Sequence, residues 1–239
     1  MSEPGQHISK SFEQELRRLR DLVSEMGGLV ENELGLAVEA VVGRDPASAT
    51  QAMEQEPRVD ALEREVEAFV VRLLALRHPL AIDLRQIIAA LKMTGDLERI
   101  GDYAANVAKR SIVLNQFSLP FSLASIANMA RLVQENLKRM IDAIGDMDGE
   151  GALRVWRSDQ AIDDLYTTIF RELVTYMMED ARSITPCTHL LFVAKNLERI
   201  GDHATNIAEV VHFAATGEVL PDERPKGDAS SYAIVRPHE

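Results

Sequence analysis

Four acid-x-x-x-Asp pairs carry the clearest chemical signal in this chain: Glu56 and Asp60, Glu98 and Asp102, Asp159 and Asp163, Glu198 and Asp202. On a helix, residues four apart share a row, so each pair presents two carboxylates to the same side. Two such pairs facing one another would form an all-oxygen donor set. That chemistry suits a hard cation, divalent or trivalent, such as Mg, Ca, Mn or iron. Four like charges at close range also need a counter-charge, supplied by a metal ion or by arginine. A single acid-x-x-x-Asp is ordinarily a solvated face, with Arg99 paired to Asp102 and Arg199 to Asp202 three residues on. Repetition at matched positions argues for more than that.

The matching comes from the elements that must carry the pairs. Periodicity predicts an all-α chain of six long antiparallel helices with no strand alternation. The first runs from about Ser11, with Ser11 and Gln14 as a capping box, to Val42. Asp45-Pro46 restarts the chain as a capping acid followed by a first-turn proline, and the second helix ends near His78-Pro79. The third reaches about Asn115, and a break at Gln116 to Pro120 precedes the fourth, which ends near Gly145. The fifth spans Gly149–Gly151 to about Asp180, and Thr185-Pro186 opens the sixth, which stops at Gly217. Asp60 and Glu98 are both 19 residues from Pro79, and Glu56 and Asp102 both 23, so the four acids fall at one level of an antiparallel pair. Asp159 with Asp202, and Asp163 with Glu198, share a midpoint between Asp180 and Ala181. On the helical wheel both rows lie away from the apolar stripe of Leu97, Ile100, Ala104, Val107 and Ala108, towards the surface. Gly101 and Ala105, between stripe and row, admit the close approach of a neighbouring helix.

LERIGDYAANVA, from Leu97 to Ala108, recurs as LERIGDHATNIA, from Leu197 to Ala208, with nine of twelve positions identical. VDALE at Val59–Glu63 is echoed by IDDLY at Ile162–Tyr166. Helices one to three are thus repeated as four to six, giving two pseudo-symmetric three-helix bundles. The expected organisation is a flexible N-terminus over residues 1–8, a first repeat over 9–116, a second over 117–217, and a flexible tail over 218–239. His203 faces Tyr103 in the alignment and Asp96 faces Asn196, so neither belongs to what the repeat preserves. Asn106 and Asn206 continue the acidic row but read as caps. His189 and the lone Cys187 read as packing residues, Trp156 as a shoulder aromatic, and Arg17, Arg18 and Arg20 as a solvated face.

Composition narrows the function. Thirty-eight acidic residues against 26 Lys plus Arg leave a formal charge of -12, which disfavours direct nucleic-acid binding. One cysteine makes neither an intramolecular disulfide nor a thiolate metal site. No signal peptide or membrane span is legible, so a cytoplasmic protein is expected.

The twin LERIGDxAxNxA segments, Asp83-Leu84-Arg85 at the start of the third helix, and the acid pairs on the second and fifth helices together resemble the PhoU family. The resemblance spans roughly residues 9 to 217. It implies a negative regulator of the phosphate-starvation response and modulator of high-affinity phosphate uptake, not an enzyme, with no catalytic residue and no organic cofactor. It further implies a homodimer that meets a PhoR-type sensor histidine kinase and a PstB-type phosphate-transporter ATPase, reaching the membrane through these partners only. Metal clusters in some members would fall here on Glu56, Asp60, Glu98, Asp102, Asp159, Asp163, Glu198 and Asp202. One departure is visible, since Ser183-Ile184-Thr185 stands where the first copy has Asp83-Leu84-Arg85. The rival readings are a carboxylate-bridged di-iron oxidase and a metal-free helical scaffold. The oxidase class needs Glu-x-x-His, and Gly101 or Gly201 stands where that histidine belongs.

Overall fold

The computed structural model describes residues 4–119 and 121–220, with side chains from Ser11 onward. Eight α-helices follow in order: α1 Pro4–Val42, α2 Pro46–Met53, α3 Glu56–Arg77, α4 Ala81–Leu114, α5 Ala124–Asp146, α6 Gly149–Ser158, α7 Gln160–Glu179 and α8 Ile184–Thr216. These are the six expected helices with the second and fifth each broken in two. Among the described residues there is no strand. The expected C-terminal tail lies outside them from residue 221 onward.

Two boundaries differ from the sequence reading. The first helix begins at Pro4, and Ser11 sits within it, so the expected capping box is not formed. The Ser11 hydroxyl instead accepts from Arg77 Nη2 at 3.0 Å, beside the Arg77–Glu15 ion pair at 2.7 Å. That contact fastens the end of α3 to the start of the core-facing part of α1. The second difference is the pair of breaks. α2 is capped as expected, with Asp45 accepting from the Ala47 and Ser48 amides and Pro46 at the first turn. It ends after eight residues because Pro57 has no N–H to continue the ladder, and α3 starts anew with Glu56 in its first turn. In the second copy the break falls at Asp159, which closes α6 and opens α7. Ser158 turns its hydroxyl onto the Val155 carbonyl there, at 2.7 Å. Both interruptions coincide with an acid of the predicted pairs.

Apolar spacing accounts for the packing. Leu19, Val23, Met26, Val30, Leu34, Ala37 and Val41 make one buried stripe on α1, and Ile87, Met93, Leu97, Ile100, Ala104 and Val107 make another on α4. α4 packs against α1, α2 and α3 in the first bundle, α8 against α5, α6 and α7 in the second. α4 and α8 also pack on each other, so one core runs through both bundles. They are antiparallel: Arg110 near the end of α4 meets His189 near the start of α8, and Asp96 meets His203 at mid-length. Gly217 closes α8 with φ of 80°, a left-handed conformation that glycine adopts without a Cβ clash.

Two carboxylate clusters

Each repeat gathers its acids where α3 meets α4 or where α7 meets α8, but the surroundings differ. In the first bundle the four acids are partly exposed. Arg99 lies 3.5 Å from Glu98 and 3.3 Å from Asp102, Lys109 lies 3.3 Å from Glu56, and Arg64 lies 4.0 Å from Asp60. The expected Arg99–Asp102 pairing is present. Burial and then the charge of Asp102 raise the Glu98 carboxyl above its ordinary value, with Glu63 and Asp60 adding and Arg99 opposing. Glu98 therefore feels both Asp102 on its own helix and Asp60 across the pair, as the common level required.

The sequence reading missed the residue at the bottom of this cluster. Glu33 of α1 is fully buried, and among the described residues neither side-chain oxygen has a hydrogen-bond partner. Burial is the chief cause that pushes its carboxyl up to about 8. The charges of Glu56, Asp102 and Asp60 add to the shift, and Lys109 opposes it. Gly101 makes the space: a Cβ there would lie 3.3 Å from Glu33 Oε2 and 3.4 Å from Val59 Cγ1. A signal for Glu33 was present, because it stands between Val30 and Leu34 on the apolar stripe of α1, where a charge has no packing purpose. Glu33 has no acid four residues away, so the acid-x-x-x-Asp pattern does not include it.

In the second bundle the acids are inside. Asp159, Asp163 and Glu198 are buried, which corrects the wheel-based placement of these rows towards the surface; Asp202 is half-buried. Protein groups occupy them. Lys195 Nζ lies 2.7 Å from Glu198 Oε1, and the Thr205 hydroxyl donates to Asp159 Oδ1 at 3.1 Å. Lys195 also lies 4.8 Å from the centre of the Tyr166 ring. By the repeat, Lys195 stands where the first copy has Gly95, Tyr166 where it has Glu63, and Asn136 where it has Glu33. Asn136 is buried and accepts from Arg139 at 3.3 Å. Gly201 faces α7, with a Cβ there 3.1 Å from Ile162 Cδ1 and 3.6 Å from Asp159 Oδ1. Both repeat glycines thus sit against side chains of neighbouring helices, Gly101 against α1 and α3 and Gly201 against α7, where a Cβ would be in tight contact.

Among the described residues, no three His, Cys, Asp or Glu side chains converge closely enough to hold a metal ion as they stand. The residues set aside by the repeat argument have other work. Asp96 Oδ1 lies 2.7 Å from His203 Nδ1 and accepts from Asn206 Nδ2 at 3.4 Å, a polar bridge between the bundles. A residue that joins two repeats has no need to recur in both, so the repeat test could not see it. Trp156 is buried and donates to Glu209 at 3.0 Å. Cys187 is buried, and burial raises its thiol to about 11, so it is a packing residue. Arg18 pairs with Glu65 at 3.0 Å on an exposed face.

Fold and site define a class: a duplicated three-helix bundle whose repeats each set an acid cluster beside a glycine on their C-terminal helix. The PhoU domain family matches residues 23–111 and 126–211, one match per bundle. A Caulobacter vibrioides protein named phosphate-specific transport system accessory protein PhoU homolog is 48% identical over 227 residues, covering 95% of this chain and 99% of its own. A Rhizobium meliloti protein of the same name is 44% identical over 94% of this chain and 95% of its own. The crystal structure of PhoU from Pseudomonas aeruginosa superposes with a TM-score of 0.84 at 40% identity, covering 87% of this chain and 100% of that one. This chain belongs to the PhoU family. Among the described residues no helix is long and apolar enough to cross a membrane.

Proposed function

We propose that this chain is the accessory protein of a phosphate-specific transport system and holds the phosphate-starvation response off when phosphate is plentiful. The observation that carries the reading is the PhoU match across both bundles, together with relatives of nearly equal length named for that transport system. It acts by protein contact and not by catalysis, meeting the sensor histidine kinase and the transporter ATPase as a cytoplasmic homodimer. An oxidase centre of the ferritin-like kind takes Glu-x-x-His from two helices; glycine stands at position four of both repeat motifs, and Glu209-Val210-Val211-His212 on α8 has no counterpart on α4, where Lys109 and Ile112 stand.

We infer that the first cluster takes a hard cation once its acids draw closer together than they stand. Glu33 offers two buried oxygens, without partners among the described residues, near Glu56, Asp60 and Asp102, and Glu98 adjoins Asp102 and Asp60, an all-oxygen set suited to Mg, Ca, Mn or iron. Arg99 and Lys109 would give way as the ion takes over their neutralising role. In the second cluster Asp159, Asp163, Glu198 and Asp202 form the corresponding set, reached only when Lys195 releases Glu198. The metal-free alternative is favoured by the ion pairs already present.

Deleting the gene and measuring phosphate-starvation transcripts in phosphate-rich medium tests the functional reading. Constitutive expression, reversed by this chain supplied in trans, is the expected result. Normal repression in a strain with no paralogue would refute it.

A further inference from the structure

The ends of the α4–α8 pair are related by the repeat, yet one is filled and the other hollow. At the filled end, Arg110 of α4 lies over the Phe192 ring with 4.0 Å between guanidinium carbon and ring centre, and 3.3 Å from His189 Nδ1. At the opposite end the repeat places Ala89, Lys92 and Val210 where these three stand. The space left by the missing imidazole, phenyl ring and guanidinium is a cavity of about 560 Å³. That is the size range of small-molecule sites.

Its lining is amphipathic. Ile88, Val210 and Phe213 form apolar walls, Leu220 covers one side, and Arg85 and Lys92 stand two turns apart along α4. The single acid in the lining, Glu209, already accepts the Trp156 indole N–H at 3.0 Å. Neither Arg85 nor Lys92 has an ion pair among the described residues, although the chain carries a net charge of -12. Arg85 Nε is buried and without a partner there, while its guanidinium rests against Gly217 at the C-terminal end of α8. Proximity to the helix terminus favours the charge but leaves that donor unmade. An arginine fork with open donors, lining the same cavity as a second cation two turns away, matches an oxyanion, and the apolar walls match an apolar body attached to it.

We propose that this cavity binds a small organic anion, a phosphate ester or carboxylate with an apolar body, its head between Arg85 and Lys92 and its body against Ile88, Val210 and Phe213. The site belongs to the first copy's Arg85 alone, since Thr185 stands at the equivalent position of α8. It is separate from both acid clusters and does not depend on metal at either.

Titration calorimetry of the full chain tests this with 1-naphthyl phosphate and 1-naphthoate as probes, and with inorganic phosphate and 1-naphthol as head and body alone. At least one aromatic anion should bind at one site per chain, about tenfold or more tighter than either fragment. Which head binds better identifies the ligand as ester or carboxylate. Arg85→Gln should weaken binding about tenfold, and the exposed Lys92→Gln, which cannot disturb the core, several-fold. Ala89→Phe should abolish binding by refilling the cavity, and Arg110→Gln at the far end should leave it unchanged. The proposal is overturned if neither anion binds below about 1 mM, if 1-naphthol binds as well as the anions, or if Lys92→Gln and Ala89→Phe both bind like wild type while melting normally.

Discussion

The two acid clusters began as copies, and the difference between them lies in what surrounds the acids. In the second, three carboxylates are buried, with Lys195 against Glu198 and the Thr205 hydroxyl donating to Asp159. In the first, the acids are partly exposed, Gly95 leaves the lysine position vacant, and a fifth acid, Glu33, is buried below them. A buried charge is tolerated when it is paired and becomes a liability when it is not. The second cluster therefore has a lysine built in against its buried Glu198, whereas in the first the cations sit on the four outer acids and the buried Glu33 below them is left for a cation or a proton to relieve. The same motif thus sits in a lysine-bearing buried network in one bundle and above an unpartnered buried acid in the other, and this is the ground for proposing the first as the cation site.

The largest expected effect comes from removing the built-in cation. Lys195→Met leaves Glu198, only 5% exposed, without its 2.7 Å partner, and should cost about 3 kcal/mol of stability by denaturant unfolding. A loss below about 0.5 kcal/mol, the level of an ordinary surface change, would show that the second cluster does not depend on Lys195.

Next is the proton on Glu33. Its carboxyl is raised from 4.5 to about 8, so the folded chain binds the extra proton between those values. Unfolding then releases it, and this group's contribution to stability, full below pH 4.5, is lost as pH rises through 8. In chelator-stripped protein Glu33→Gln should remove that part of the pH dependence and stabilise the fold at pH 9 by roughly 1–3 kcal/mol. Parallel stability–pH curves for variant and wild type would contradict the placement of Glu33.

Overpacking at the glycines is of similar or smaller size. Gly101→Leu and Gly201→Leu should each cost roughly 1–3 kcal/mol. Gly201 should be the worse, because its neighbour Ile162 is nearer and belongs to a packed apolar contact, while Gly101 faces the end of the Glu33 side chain. Equal melting temperatures for both variants and wild type would put the glycines in open solvent. The smallest effect is expected at Gly95, where an added Cβ meets nothing within 4 Å. Gly95→Ala should stabilise α4 by roughly 0.5–1 kcal/mol through helix propensity alone.

Much of this was readable in the residues, for stated reasons. Long 3.6-residue periodicity and Pro or Gly punctuation gave helix ends at Pro46, Asn115 and Gly217 to within a residue or so. The repeat located the acids and the glycines, and counting from Pro79 put the first four at one level. Three things were hidden. The apolar periodicity runs on through Pro57, so it carries no sign of the break that places Glu56 in a first turn. The wheel fixes direction relative to one helix, and the burial of Asp159, Asp163 and Glu198 depends on neighbours such as Lys195 and Tyr166 that the wheel does not contain. Contacts between repeats, such as Asp96 with His203, carry no repeat signature at all.

The central claim is that the first cluster is the receptive one, and metal-dependent stability tests it most directly. Calorimetric melting of chelator-stripped protein should move upward on adding Mg, Ca, Mn or iron, by mass action on the folded state. That shift should vanish in Glu98→Gln with Asp102→Asn and persist largely intact in Glu198→Gln with Asp202→Asn. A melting temperature that ignores all four cations, or a shift lost only with the second pair of substitutions, would contradict the account.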